Sequence, residues 1–87
     1  MRFAAKVSNL KGEHHVDVSD GEKSTSINIA PRQSGFGSSV SGGELLMLAL
    51  ATCYCNDVYR EAARMNIEVM AVEVECGADF NAEGASA

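Results

Sequence analysis

The residues of this 87-residue chain whose types could do chemistry are three cysteines, two histidines and a few charged groups placed near turns or helix ends. Cys53 and Cys55 are two apart in a segment with helical character, which sets them about 200° apart around the axis. They point to nearly opposite sides, so neither a disulfide between them nor a shared metal is expected, and neither a Cys-x-x-Cys nor a zinc spacing is present. His14 and His15 are adjacent on a strand pattern, where neighbouring side chains face opposite ways, and no metal site is expected there either. A cysteine acts through its thiolate, which needs a cation or a helix N-terminus close by. Cys53 stands about three turns into its own helix, beyond the reach of that helix's dipole. A Lys or Arg would have to come from elsewhere in the fold or from a partner subunit. Without one, Cys53, Cys55 and Cys76 are small hydrophobes.

The element that positions Cys53 is the longest apolar run in the chain. Ser41 followed three residues later by Glu44 is a capping-box pattern and starts a helix at about Gly42. From Leu45 to Cys55 only Thr52 is neither aliphatic, aromatic, sulfur-bearing nor alanine, so this half of the helix is apolar on nearly every side and predicts burial all round. Asn56, Asp57, Arg60, Glu61 and Arg64 then alternate with Val58, Tyr59, Ala62, Ala63 and Met65 at amphipathic spacing. Asn66 suits a left-handed C-terminal position, and the helix is expected over residues 42–65. Its apolar run is far shorter than the ~20 residues of a membrane span, so a core helix is expected.

Ahead of the helix, Phe3, Ala5 and Val7 alternate with polar or small residues as a first strand, residues 9–12 turn the chain, and His14, Val16 and Val18 mark a second strand. Asp20-Gly21 is a hairpin signal, and residues 23–30 form a third strand with Thr25, Ile27 and Ile29 on one face. These predict an antiparallel meander with one apolar face as a floor for the helix. Residues 31–43 form a long Gly/Ser-rich loop with the chain's one proline, open to two readings, a functional loop or a connector. After the helix, Val72, Val74 and Cys76 alternate with Ala71, Glu73 and Glu75 as a fourth strand, and residues 77–87 read as a turn or an interrupted strand.

The length fits one small domain, residues 1–87, or part of a larger one, and a chain this short with so apolar a helix points to a tight homodimer or a longer parent. The net charge of −5 and the lack of a basic stripe argue against nucleic acid and anionic membrane as partners. Residues 1–7 alternate like a strand and lack the apolar region of a signal peptide, and an odd number of cysteines does not suggest a secreted disulfide framework, so a cytoplasmic location is expected.

The run Ser41-Gly-Gly-Glu-Leu-Leu-Met-Leu-Ala-Leu-Ala-Thr-Cys53, preceded by three strands and a Gly/Ser-rich loop and followed by Ile67-Glu-Val and Val72-Glu-Val-Glu, resembles the N-terminal part of OsmC-like proteins. That family includes osmotically inducible protein C and the organic hydroperoxide resistance proteins. The resemblance covers nearly all of this chain and a little over half of the usual family domain. It implies an α+β fold with a three-stranded meander, a long buried central helix and a further strand, assembled as an intertwined homodimer with sites at the subunit interface. In its peroxidase members the cysteine matching Cys53 attacks the peroxide as thiolate, and a second cysteine on a later helix resolves the sulfenic acid. An arginine from the early strand region, held by a carboxylate near the helix start, activates the first thiol. The resemblance puts the second helix and resolving cysteine beyond Ala87, and Cys76 does not match that position. Lys11 stands in the turn where the arginine belongs, and Glu44 is one residue from the carboxylate position of the hydroperoxide-resistance pattern, which falls on Gly43.

Cys53, Glu44 and Lys11 are therefore the candidate catalytic residues, with Arg32 a second candidate cation and no cofactor implied. Two functions stay open. One is thiol-dependent reduction of small organic hydroperoxides; the other is a non-catalytic OsmC-like dimer or a module that binds a small apolar ligand.

Overall fold

A computed structural model describes residues 1–79 and shows an α+β chain of three strands followed by one helix. The strands are β1 (Ala4–Leu10), β2 (Glu13–Ser19) and β3 (Ser24–Ile27), and the helix is α1 (Gly42–Arg64). The chain divides into two units, Met1–Ser41 and the segment from Gly42 on, which are described separately.

In the first unit the strands pair in sequence order as an antiparallel meander. Directly opposed residues share a face, and the register sorts the side chains accordingly. Val7, Val16 and Ile27 form one rung, Ala5, Val18 and Thr25 the next, and Asn9 stands opposite His14. The other face carries Lys6, Asp17 and Ser26, where the Ser26 hydroxyl donates to Asp17 Oδ1 at 2.7 Å. The predicted apolar face is therefore present. His15 falls on the polar face with Glu13, and the two histidines point opposite ways as the alternation requires.

Two boundaries differ from the sequence reading. β1 continues through Asn9 to Leu10, and the turn is only Lys11-Gly12, with Gly12 at φ 80° as the third position of a type II turn demands. Asn9 is a turn-former by local preference; here its side chain is engaged in hydrogen bonds that hold it in the strand. β3 stops at Ile27 instead of reaching residue 30: its ladder ends at the Val16–Ile27 pair although β2 continues to Glu13, and the Ala30 carbonyl is taken up by Ser39 of the loop instead. At the other turn Asp20 accepts from the backbone N–H groups of Glu22 and Lys23, each at 3.1 Å, and these bonds hold its carboxyl below the usual carboxylate range.

Residues 31–40 are an ordered loop. Pro31 and Ser38 form an antiparallel bridge, Arg32 N donates to Gly37 O at 2.8 Å, and both the amide and the hydroxyl of Ser39 donate to Ala30 O. Gly35 and Gly37 take positive φ at the tip, where Phe36 is 66% exposed. The connector reading is replaced by a hairpin-like loop closed by its own backbone.

In the second unit α1 starts at Gly42, as the capping-box pattern predicts, with Glu44 in its first turn. It ends in a Schellman motif. Asn66 adopts φ 56°, Ile67 N donates to Ala62 O at 2.8 Å, and Asn66 N donates to Ala63 O at 3.2 Å. The expectation of a helix buried all round is not met within this one chain. Ala62 is the single buried residue of α1, while Leu45, Leu46, Leu48, Leu50, Tyr54, Val58 and Tyr59 are all exposed, Leu48 by 58% and Tyr54 by 60%. Helix formation is local, through backbone hydrogen bonds and caps, whereas burial needs matter on the outside, and the two separate here. With about half their surface left in water, these seven side chains forgo on the order of 5–10 kcal/mol of burial, comparable to the whole stability of a small domain.

The expected fourth strand is not shown among the described residues. Residues 67–79 carry no assigned strand, because an alternating pattern becomes a strand only when a neighbouring ladder takes its N–H and C=O groups. The reading of residues 77–87 as a turn or interrupted strand falls largely on residues 80–87, outside the described residues. No helix among the described residues is long and apolar enough to cross a membrane.

Candidate functional site

α1 decides the surroundings of its two cysteines. At 100° per residue, Met47, Ala51, Cys55 and Ala62 form one stripe, and this is the least exposed side of the helix. Cys55 therefore sits half-buried among small and apolar neighbours on its own helix, as an unreactive thiol would. Cys53 lies on the other side, is exposed, and shares that side with Leu46, Leu50, Asp57 and Arg60. Of the three thiols Cys53 is the exposed one, Cys55 and Cys76 being half-buried.

The helix also shows what stands near Cys53. Asp57 is one turn further along the same side, and Arg60 Nη2 donates to Asp57 Oδ1 at 2.5 Å. Arg60 is thus paired with Asp57, and it stands seven residues, about 10.5 Å along the axis, beyond Cys53. Sequence reading treated Asp57 and Arg60 as solvated polar residues; their i,i+3 spacing was the signal for a pair. Arg64 is committed in the same way, with Nη1 at 2.6 Å from Glu61 Oε2. The basic residues of α1, Arg60 and Arg64, stand about 10.5 and 16.5 Å along the axis from Cys53, so the helix itself sets no cation beside this thiol.

Glu44 is nine residues ahead of Cys53, which puts it on the opposite side of α1 and about 13.5 Å away along the axis. The helix does not bring these two together; Glu44 shares its side with Cys55 instead. Lys11 is exposed at the tip of the β1–β2 turn, and Arg32 is exposed in the loop, its guanidinium close to Gly37. Both belong to the first unit. Cys76 is half-buried in residues 67–79, and all three thiols are free. Among the described residues no group of His, Cys, Asp and Glu side chains could hold a metal ion.

The first unit also contains an arrangement that sequence reading missed. Asn9 Oδ1 accepts from Gly37 N at 2.9 Å, and Asn9 Nδ2 lies 2.9 Å from His14 Nδ1, so the hairpin and the loop are joined through one side-chain amide. A two-residue turn at Lys11-Gly12 would have placed Asn9 opposite His14, and Gly12 was the residue that signalled it.

Comparison with known families bears on the second unit most directly. A family described as OsmC-like protein matches residues 35–86. This covers more than half of the chain, including the loop tip, all of α1 and the segment after it, and the chain belongs to the OsmC-like family. Cys53 and Glu44 lie inside the matched segment, whereas Lys11 lies outside it. No curated protein and no solved structure matches the chain.

Proposed function

We propose that this OsmC-like chain reduces small organic hydroperoxides through Cys53. The observation that supports the reading is that Cys53, which the resemblance matches to the family's peroxidatic cysteine, is the exposed thiol of α1 and lies in the matched segment, while its neighbour Cys55 is turned to the least exposed stripe. In the proposed step the Cys53 thiolate attacks the terminal oxygen of the peroxide. The O–O bond breaks, the alkoxide takes a proton and leaves as the alcohol, and sulfur is oxidised to a sulfenic acid. A thiol then condenses with the sulfenic acid, releasing water, and a further thiol reduces the disulfide, so that two thiol electrons restore Cys53. Lys11 and Arg32, of this chain or of a second copy, are the cations proposed to favour the thiolate, since α1 sets none beside Cys53. Glu44, on the far side of its own helix, would serve a Cys53 other than its own.

That placement agrees with a homodimer, which we include in the proposal. A second copy packed against α1 would cover part of its exposed apolar surface, and residues 67–79, which alternate without a ladder here, would gain one as the fourth strand. Three free thiols suit a reducing, cytoplasmic setting and a role in oxidative stress. The exposed apolar surface also supports a second reading, a non-catalytic dimer or a module for a small apolar ligand, in which Cys53 is only part of the interface.

Consumption of an organic hydroperoxide with excess dithiol separates the two. Cys53→Ser is expected to lose at least about a hundredfold in rate with the fold intact, as removal of a nucleophile does. Equal consumption by wild type and C53S would exclude the peroxidase.

A further inference from the structure

We propose that Asn9 and His14 form a proton-sensitive latch that fastens the 31–40 loop to the β1–β2 hairpin. The backbone N–H of Gly37 can only donate, so the Asn9 atom 2.9 Å from it must be the carboxamide oxygen. The other end of the same amide is then an NH2 group, also only a donor, and it lies 2.9 Å from His14 Nδ1. Nδ1 must therefore offer its lone pair, which fixes His14 as the neutral Nε2–H tautomer while the latch is closed.

A second proton on His14 goes to Nδ1 and sets N–H against N–H. Asn9 can rotate its oxygen towards the imidazolium, but the Gly37 N–H then loses its acceptor. A bond from the charged imidazolium is the stronger of the two, so the oxygen goes to His14 and the Gly37 bond is the one given up. Nothing on this face compensates the new charge within the first unit. The residues sharing the face with His14 are Val16 and Val18 on β2, Ala5 and Val7 on β1, and Thr25 and Ile27 on β3. The ionisable groups of β1 and β2, Lys6, Glu13, His15 and Asp17, lie on the other face, and β3 has none. The turn carries Lys11, and the loop carries Arg32, whose guanidinium lies 3.6 Å from where a Gly37 Cβ would stand. The nearby charges are positive.

The loop keeps its own closure, from the Pro31–Ser38 bridge and the Arg32–Gly37 bond, when the latch opens. Acid therefore frees it as a unit from the hairpin instead of unravelling it. Since residues 31–40 lead directly into Ser41 and the start of α1, the latch links proton concentration to the segment that enters the helix, whatever chemistry that helix performs.

The test is amide exchange at Gly37 in the full chain from about pH 8 to about pH 5, with the imidazole resonances followed in parallel. Protection relative to the intrinsic exchange rate is expected to fall about tenfold, as for loss of one net hydrogen bond, in step with the His14 ring and not with His15. In N9D the carboxylate accepts from both Gly37 N–H and a protonated imidazole, so protection should rise on acidification. H14F should show no step at all. Constant Gly37 protection through the His14 titration of the wild type, or a step that persists in H14F, would overturn the proposal.

Discussion

The two units of this chain are built on opposite principles. In Met1–Ser41 specificity is carried by pairing between distant residues: a ladder register, Ser26 to Asp17 across two strands, and Asn9 reaching Gly37 in the loop. Burial is slight there, with Ile29 the single buried apolar residue at 9% exposure. From Gly42 on, the bonds that define the described structure are local: the helix ladder, the Schellman closure at Ala62–Ile67, and the i,i+3 pairs Asp57–Arg60 and Glu61–Arg64. The difference is in what each still lacks. The sheet is held by its ladder and side-chain bonds and has modest apolar surface, whereas the helix is complete as a helix and incomplete as a packed element. That contrast is why a second copy is proposed for the second unit and not for the first.

Substitutions that strike one unit and spare the other sharpen the comparison. The largest effect is expected at Leu48, among the more exposed apolar residues of α1. Leu48→Glu should weaken the dimer on the order of a thousandfold, from about 2 kcal/mol of lost burial in each copy, seen by sedimentation at micromolar concentration. A wild-type chain that is already a monomer and unfolds cooperatively would refute the need for a partner. Next comes Gly12→Ala. A Cβ at this position meets nothing within 4 Å, so the cost is that of holding an L residue at φ 80°, about 1–2 kcal/mol, read as a lower melting temperature of the sheet with the helical signal unchanged.

The smallest effect belongs to Asp20. Because hydrogen bonds from Glu22 N–H and then Lys23 N–H lower its pKa in the folded state, the stability it lends is present at neutral pH and is lost as pH falls through the carboxylate range. Asp20→Ala should be less stable at about pH 7 and should lose less on acidification to about pH 3, by urea unfolding at both values. An unchanged pH dependence would show that the turn contributes nothing.

How much was legible in the sequence follows the same division. Local chemistry was readable: Ser41 and Glu44 marked the helix start at Gly42, Asn66 marked its end and does adopt the left-handed conformation, and alternation placed His14 and His15 on opposite faces. What escaped depends on matter far away in sequence. The length of β1 turned on the bonds Asn9 makes to His14 and Gly37, and the order of the 31–40 loop on bonds that a Gly/Ser-rich composition does not reveal. Residues 67–79 have the alternation of a strand without the ladder, and α1 has the composition of a core helix without the core. At the site, the apolar run singled out Cys53 and the family match includes it, and nine residues of helix, about 180° around the axis, part it from Glu44, a separation that the predicted helix already contained.

The most direct test of the account is mass spectrometry of the purified chain after a brief pulse of an organic hydroperoxide in the presence of a sulfenic-acid trap. Rapid trapping at Cys53, with Cys55 and Cys76 left as thiols, is the predicted result. An intact protein with no modification at Cys53 would contradict a peroxidatic thiol and make that residue part of an apolar interface.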